Sequence, residues 1–546
     1  MKTTLLNFSA SLVALFVLVS CTERSPESIP IEERLASRGN AIGDSVKQPR
    51  DCRIKGDYLN LSVAELQAAM TAGDTSAVEL TCFYTQRIAD LNSVYHAVIN
   101  VNPNAGDIAA SLDLERKQGK KRGPLHGIPV LLKDNINSRD PMPTTAGSLA
   151  LLENYAVEDA PLVASLRAAG AIILGKTNLS EWANIRSTHS ISGWSAVGGF
   201  TRNAYQSDLN PCGSSAGSAV AAALNLAPLT VGSETDGSII CPASMNGVVG
   251  IKPGGGLVSQ QGIVPISHTQ DTAGPIARSV EDAVLLLDAM LTPQARQQLG
   301  DLARHLQTKD LQGLRIGVAR NFTGHESQVD AVFDDALAIL RQAGADLVDV
   351  DDLWPVVDGD IDELEIIILL TEMKADMAAY LETAPATVAV RNMDDLVAFN
   401  LAHAEQEMVH FKQEFFVFSA AAKPLDDPQY QQALSRAREI AGNQGIDAAL
   451  EKHQLDLLIA PSFGVAGPLK DEGKSLTPGQ PGSTQLSALA AYPGITVPMG
   501  TVQGLPLGIS FFAGKLSEPV LIRVAAEFES RRGALPAPEI SRNTTK

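Results

Sequence analysis

Residues 212–243, "CGSSAGSAVAAALNLAPLTVGSETDGSIICPA", combine a helical pattern, a buried strand and a polar loop. Its alanine-rich first half predicts a helix over 214–226, which places Ser214 and Ser215 at the helix N-terminus. The apolar run "LAPLTV" then predicts a buried strand, and the small and polar residues at 232–238 predict a loop that leads into Ser238. A helix followed by a buried strand is typical of an α/β fold.

The letters G-S-S-A-G within this stretch match G-x-S-x-G, the nucleophile elbow of α/β-hydrolases, with Ser215 at its centre. An elbow needs a buried strand before the serine, but the preceding "NAYQSDLNPC" is polar and contains Pro211. The histidines after residue 280 lie in helical or loop sequence without a supporting pattern for a Ser-His-Asp triad: His305, His325, His403, His410 and His453. We therefore predict that Ser215 is not the nucleophile.

Short apolar runs alternate with helical patterns on both sides of this stretch. Strands are predicted in "HGIPVLLKDNI", "AIILGKT", "VVGIKP", "RIGVAR", "DLVDV", "LDLLIAPSF", "GITVPMG" and "LPLGISFFAG". This alternation predicts an α/β fold with a large mixed, mostly buried β-sheet flanked by helices on both faces. Residues from about 360 to 453 are mainly helical in pattern, so we expect a helical insertion within a single catalytic domain over 56–540.

The composition and net charge limit the classes of protein to which the chain can belong. The chain has 546 residues, of which 45% are hydrophobic and 19% charged, and this suits a large folded core. The formal net charge is −19, and an acidic surface repels phosphate backbones, so we expect no nucleic-acid partner. The sequence makes no prediction of the oligomeric state.

The N-terminus predicts export. Lys2 precedes a short apolar run that ends in "LVSC", so residues 1–20 read as a signal peptide and Cys21 as the lipidated residue of a bacterial lipoprotein. A plain signal peptide with a chance cysteine is the alternative. Residues 21–55 would then be a lipid anchor and polar tether, on the periplasmic face of the outer membrane, and this lipid would be the only membrane contact. No other window is long and apolar enough to span a bilayer.

The remaining cysteines predict no metal site, because there is no C-x-x-C and no Cys/His cluster at metal spacing. Their pairing stays open: Cys52, Cys82, Cys212 and Cys241. For Cys212 and Cys241 we favour small buried thiols over a disulfide. Trp182, Trp194 and Phe200 are interpreted as core residues, with a substrate channel as the alternative.

Two features point to acyl-transfer chemistry. Lys133 ends the apolar strand "GIPVLLK", where desolvation would lower its pKa and let it act as a base. The loop at 232–238 is rich in backbone donors, and successive N–H groups in such a turn can converge on one oxygen.

Six ordered segments together resemble the amidase signature family: "HGIPVLLKDN" (126–135), "GKTNLSEWA" (175–183), "CGSSAGSAVAAA" (212–223), "GSETDGSIICPA" (232–243), "GIKPG" (250–254) and "DTAGPIARSVED" (271–282). The likeness is strong over about 60–290 and weaker over 455–530. The family uses a Ser-Ser-Lys triad without a cofactor, which implies Lys133 as base, Ser214 as bridging serine and Ser238 as nucleophile. It also implies a cis Gly213–Ser214 peptide bond, with Ser215 supporting the loop.

On this resemblance Ser238 would attack a carboxylic amide while its proton passes through Ser214 to neutral Lys133. The tetrahedral oxyanion would be held by the backbone N–H groups of Thr235, Asp236, Gly237 and Ser238. Water would then hydrolyse the acyl-serine, and the products would be an acid and ammonia or an amine.

The segment "ETDGSI" followed by "CPA" departs from the commonest family pattern, Thr-Gly-Gly-Ser, and resembles the peptide amidases of bacteria, which release the C-terminal amide of peptides as ammonia. Asp236 could disfavour a free carboxylate beside this loop. The alternatives are an amidase for aryl, alkyl or fatty acyl amides, one component of a tRNA-dependent glutamyl-tRNA amidotransferase, and an inactive binding member of the family. The export signal argues against the amidotransferase, and the intact triad argues against an inactive member.

Overall fold

The computed structural model of the chain describes residues 52–307, 310–353, 360–469 and 483–540. The predicted signal peptide, Cys21 and all of the tether up to residue 51 lie outside these residues. Across the described ranges, no helix combines the length and the apolarity that crossing a bilayer requires.

An 11-stranded sheet runs through the molecule in the order β1-β3-β2-β6-β8-β7-β12-β13-β11-β9-β10, and a two-stranded sheet joins β4 to β5. The strands are β1 Val98–Val101, β2 Pro129–Lys133, β3 Ile172–Thr177, β4 Trp194–Ser195, β5 Gly199–Phe200, β6 Leu229–Glu234, β7 Val249–Lys252, β8 Thr272–Ala277, β9 Arg315–Ala319, β10 Asp346–Val350, β11 Leu457–Pro461, β12 Gly494–Val502 and β13 Leu505–Phe512. Strand β2 is parallel to both β3 and β6, whereas β6 and β8 are antiparallel. The sheet is therefore mixed, as predicted.

Helices flank this sheet, and the α/β fold class is confirmed. The α-helices are α1 Val63–Ala72, α2 Ala77–Tyr95, α3 Ala105–Lys117, α4 Pro161–Ala168, α5 Ala216–Ala223, α6 Ile240–Met245, α7 Val280–Met290, α8 Pro293–Leu299, α9 Ser327–Gln342, α10 Asp360–Thr383, α11 Met393–Ala402, α12 Ala404–Glu407, α13 Glu414–Ala421, α14 Pro428–Arg438, α15 Asp447–His453, α16 Gln485–Leu489 and α17 Glu518–Arg532. A π-helical segment, Glu439–Ile446, joins α14 to α15. Short 3-10 helices cover Leu149–Leu151, Glu181–Asn184, Leu302–Gln307 and Arg320–Phe322.

The central strands are hydrophobic runs because both of their faces are covered. Every residue of β2, β3, β6, β7 and β8 is buried. Helix α5 packs against β6, and all eight of its residues are buried. Its small side chains suit this position because they let the helix lie close to the strands.

Helix starts follow the capping rules. Ser62 caps α1 in a complete capping box with Glu65, and Ser76 accepts a hydrogen bond from the N–H of Glu79 at the start of α2. The helical insertion begins with α10, whose side chains pack on α13 and α14. Its apolar residues form a cluster with Trp182 and Leu151 of the main domain.

The sequence patterns missed β8. Gly274 and Pro275 interrupt the run "TAGPIA", and proline is disfavoured inside a sheet because it lacks an N–H donor. The strand nevertheless lies between β6 and β7. Strand β7 pairs with it only at Ala277 and Ile276, so Pro275 lies where β8 has one paired neighbour, β6.

Candidate active site

Lys133 is the last residue of β2, and its side chain is fully buried. Its Nζ lies 2.6 Å from Ser214 Oγ, 3.0 Å from the Ser233 carbonyl oxygen and 2.9 Å from Ser233 Oγ. Asn135 Nδ2 donates to the same Ser233 Oγ at 2.9 Å. Because β2 pairs in parallel with β6, the end of one strand meets the end of the other, and Lys133 reaches Ser233 without leaving the core.

Burial lowers the pKa of Lys133 to about 7, because an ammonium loses its hydration in the protein interior. The carboxylates of Asp271 and Glu234 oppose this shift. The neutral amine, which is the form that a general base requires, is therefore accessible near neutral pH.

The Gly213–Ser214 peptide bond is cis, as the family resemblance implies. Ser214 is fully buried, and its carbonyl accepts a hydrogen bond from the Ser180 N–H at 3.0 Å. A methyl group on Gly213 would lie 2.1 Å from Ser180 Oγ, so only glycine fits at this position.

Ser215 is not placed as a nucleophile. Its Oγ donates to the Ser233 carbonyl at 3.0 Å and accepts from the Ser233 N–H at 3.1 Å. Both functions of the hydroxyl are therefore used to tie the start of α5 to the end of β6. This is the supporting contact that the resemblance implies.

Ser238 lies in the turn between β6 and α6, with 7% of its surface exposed. Gly237 precedes it with φ 74°, in the left-handed region that favours glycine. Glu234 fixes the turn, since its Oε2 accepts hydrogen bonds from the N–H groups of Ile239 and Ile240 at 2.6 and 2.9 Å. No described residue accepts a hydrogen bond from the N–H groups of residues 235–238, so these donors are available to a ligand oxygen.

Asp271 is a site residue that no sequence pattern predicted. Its Oδ1 accepts a hydrogen bond from Thr235 Oγ1 at 2.6 Å, and its Oδ2 accepts from the N–H groups of Ile266 and Ser267 at 2.8 and 3.0 Å. Burial raises the pKa of Asp271 to about 6. The sequence signal that could have identified Asp271 is its place as the first residue of the family segment "DTAGPIARSVED". Asp271 also lines a cavity of about 420 Å³ that extends to Tyr380 on α10.

The cysteine prediction was wrong. Cys212 and Cys241 form a disulfide with a Cα–Cα distance of 5.9 Å, and Cys52 pairs with Cys82. The sequence pattern could not show this because Cys241 lies 29 positions after Cys212, and only the fold brings the two residues together.

The three aromatic residues have different surroundings. Trp182 is 2% exposed and packs edge-on against Phe416 of the insertion. Trp194 is 5% exposed and packs against Phe411. The core interpretation is confirmed for both tryptophans, whereas Phe200 is half-buried.

One group in the described part of the chain has side chains of the kind that bind metals: His268, Glu372 and Asp376. His268 Nδ1 lies 2.9 Å from Asp376 Oδ2. Glu372 is fully buried and already accepts hydrogen bonds from Ser267, Thr269 and Tyr430. These contacts join the insertion to the main domain.

Comparisons with known proteins agree with this geometry. The profile of the family described as "Amidase" matches residues 79–522. The structure of native peptide amidase from Stenotrophomonas maltophilia is 47% identical, covers 88% of this chain and 99% of its own, and superposes with a TM-score of 0.82. A complex of the peptide amidase PAM with the competitive inhibitor chymostatin is 48% identical, with the same coverage and a TM-score of 0.84.

Proteins that are not described as peptide amidases also match this chain. A component of the glutamyl-tRNA(Gln) amidotransferase of Salinispora tropica is 32% identical over 518 residues, covering 89% of this chain and all of the relative. A protein of Arabidopsis thaliana described as a probable amidase is 39% identical over 485 residues, covering 86% of this chain and 89% of the relative.

The predicted localisation is wrong. The Arabidopsis protein and the amidase-family relatives from Arthroderma benhamiae and Schizosaccharomyces pombe are eukaryotic and are not bacterial periplasmic lipoproteins. The prediction depended on Lys2, a short apolar run and the letters "LVSC", a local pattern that is outweighed by relatives that match most of the chain.

The matches span the described domain, and the segments that carry them hold the buried lysine and the serines that surround it. The chain belongs to the amidase signature family and is an amidase that hydrolyses linear amides.

Proposed function

We propose that the chain hydrolyses the C-terminal amide of peptides, with Ser238 as nucleophile, Ser214 as proton relay and Lys133 as base. The observation that carries the mechanism is the buried 2.6 Å contact between Lys133 Nζ and Ser214 Oγ. The likeness to peptide amidase over 88% of the chain supports the substrate class.

The hydrogen bonds of Lys133 suit a neutral amine. Two N–H groups of the Lys133 amine donate to the carbonyl and hydroxyl oxygens of Ser233. The lone pair of Nζ then faces the Ser214 hydroxyl. Ser214 passes its proton to Nζ and takes one from Ser238, so the Ser238 oxygen becomes nucleophilic as it attacks.

In the first half-reaction Ser238 Oγ forms a bond to the amide carbon, and the carbonyl oxygen gains the negative charge. The N–H groups of Thr235, Asp236, Gly237 and Ser238 would stabilise this oxyanion, and one such donor is typically worth about 3 kcal/mol. The C–N bond then breaks, and the departing nitrogen receives the proton back through Ser214. Water repeats the sequence on the acyl-serine and releases the acid.

The test is a panel of amides incubated with the purified protein and scored for ammonia or amine release. We expect ammonia from peptide amides and none from free glutamine, and we expect Ser238→Ala to remove it. Faster release from aryl, alkyl or fatty acyl amides would replace the peptide assignment. Release from glutamine would favour an amidotransferase-type activity, which the glutamyl-tRNA(Gln) relatives carry in their name. Turnover that survives in Ser238→Ala would exclude Ser238 as the nucleophile.

A further inference from the structure

Glu365 lies on insertion helix α10, and two amide side chains hold its carboxyl group. Gln270 Nε2 donates to Oε1 at 2.8 Å, and Gln485 Nε2 donates to Oε2 at 2.9 Å. Glu365 is 8% exposed, and its burial raises its pKa while the two amide donors oppose that shift. Both amide side chains donate to the carboxyl oxygens, which favours the ionised form, so α10 places a carboxylate in this part of the protein.

This charge lies beside the nucleophile loop, because the two glutamines are the chain neighbours of residues that touch the loop. Gln270 precedes Asp271, which accepts the Thr235 hydroxyl. Gln485 follows Thr484, whose Oγ1 would lie 3.3 Å from a methyl group on Gly237. Both glutamines that bind Glu365 are therefore next in the chain to residues that lie against the turn containing Ser238.

Three buried side-chain oxygens near this turn accept no hydrogen bond from the described residues: Asp236 Oδ1, Gln270 Oε1 and Glu234 Oε1. They lie near the backbone N–H groups of residues 235–238, which are available to a ligand oxygen. Buried oxygens without a donor make a further desolvated negative charge unfavourable nearby, whereas a neutral amide adds no charge.

We propose that Glu365 makes the site select a neutral carboxamide against the corresponding carboxylate, and that the same charge drives the acid product out. After hydrolysis the product carries a negative charge in a poorly hydrated site, near the carboxylate of Glu365. This inference rests on the proposed function only for the position of the nucleophile.

The pKa of Asp236 shows the same effect of the Glu365 charge on a nearby carboxyl group. Burial raises its pKa well above the ordinary value, and the charge of Glu365 raises it further. The negative charge of Glu365 thus already disfavours ionisation of Asp236 near the loop. A product carboxylate would be one more anion in the same place.

The experiment measures the dissociation constants of one amide and of its acid, using the pair from the panel that releases ammonia fastest. Binding is measured in the Ser238→Ala background, with and without Glu365→Gln. We expect Glu365→Gln to tighten binding of the acid by about tenfold relative to the amide, because a nearby desolvated charge is removed. Gln270 can rotate its amide and offer Oε1 to the new side chain, so this variant keeps both contacts.

The matched control is Asp362→Asn. Asp362 lies one turn earlier on α10, is exposed, and accepts from the same Gln485 Nε2 at 2.8 Å. We expect no change in the ratio of acid to amide affinity. If it changes as much as in Glu365→Gln, the general charge of the helix explains the effect and the proposal is overturned.

A second variant guards against a folding defect. Glu365→Asp keeps the negative charge, and we expect it to leave the ratio of acid to amide affinity close to that of the unsubstituted protein. An unchanged ratio in Glu365→Gln, or a ratio that shifts as much in Glu365→Asp as in Glu365→Gln, would overturn the proposal. Failure of the proposed function looks different: Ser238→Ala would still turn over, and the ratio would then be read from inhibition constants in the active protein.

Discussion

Lys133 Nζ lies 2.6 Å from Ser214 Oγ, although 81 positions separate the two residues, and neither side chain is exposed. The contact depends on the order of strands in the sheet, which places the end of β2 beside the end of β6 and the start of α5. It is the contact that the proposed roles of Lys133 as base and Ser214 as relay require.

The pH profile tests the lysine. Because the pKa of Lys133 is about 7 and the neutral form is the base, kcat/KM is expected to rise as pH rises through 7 and then to level off. The carboxylate of Asp271 raises the pKa of Lys133, so Asp271→Asn should move this rise to lower pH. If Asp271 itself caused the rise, the variant would abolish it.

Single alanine variants distinguish the roles of Ser214 and Ser215. Ser214→Ala removes the proposed relay, so kcat should fall by roughly 100-fold to 10,000-fold with little change in Tm. Ser215→Ala leaves the N–H and carbonyl of Ser233 without that partner in a buried site, so it should cost about 2 kcal/mol of stability. Steady-state kinetics and thermal melts on both variants are the measurement. Equal losses of kcat would contradict the assigned roles.

The Cys212–Cys241 disulfide closes a chain segment of 29 residues beside the nucleophile loop. Its removal in Cys212→Ala/Cys241→Ala should cost about 3 kcal/mol of stability. Cys52→Ala/Cys82→Ala, which opens the disulfide with a separation of 30, should lower Tm by a similar amount and leave kcat unchanged. A kcat loss confined to the first pair would show that this disulfide positions the loop. Melting curves that do not respond to a reductant would contradict both bonds.

Gly217 in α5 is expected to tolerate no side chain. A methyl group there would lie 2.3 Å from the Ala97 carbonyl oxygen and 2.6 Å from the Asn178 backbone nitrogen, and backbone atoms cannot move aside cheaply. Gly217→Ala should cost about 3 kcal/mol or more, measured by denaturant unfolding. Gly123→Ala is the control, because its added carbon would lie 3.8 Å from the nearest neighbour. Equal stability of the two variants would show that α5 does not pack this closely.

The local patterns of the chain determined much of the fold. Apolar runs identified β2, β3, β6, β7 and the strands from β9 to β13, because a buried strand must be hydrophobic on both faces. Capping residues marked the helix starts. The order of the family motifs identified Lys133, Ser214 and Ser238 as the residues to examine, although their roles rest on resemblance.

Tertiary structure decided the rest. Strand β8 was invisible because Gly274 and Pro275 break the local pattern, and only its position against β6 makes it a strand. The disulfides, the contacts of Asp271 and the position of Glu365 beside the loop depend on residues that lie far apart in the chain. Local propensity acts over a few residues, whereas burial and charge act between elements that the sheet order brings together, and that order is a property of the whole fold.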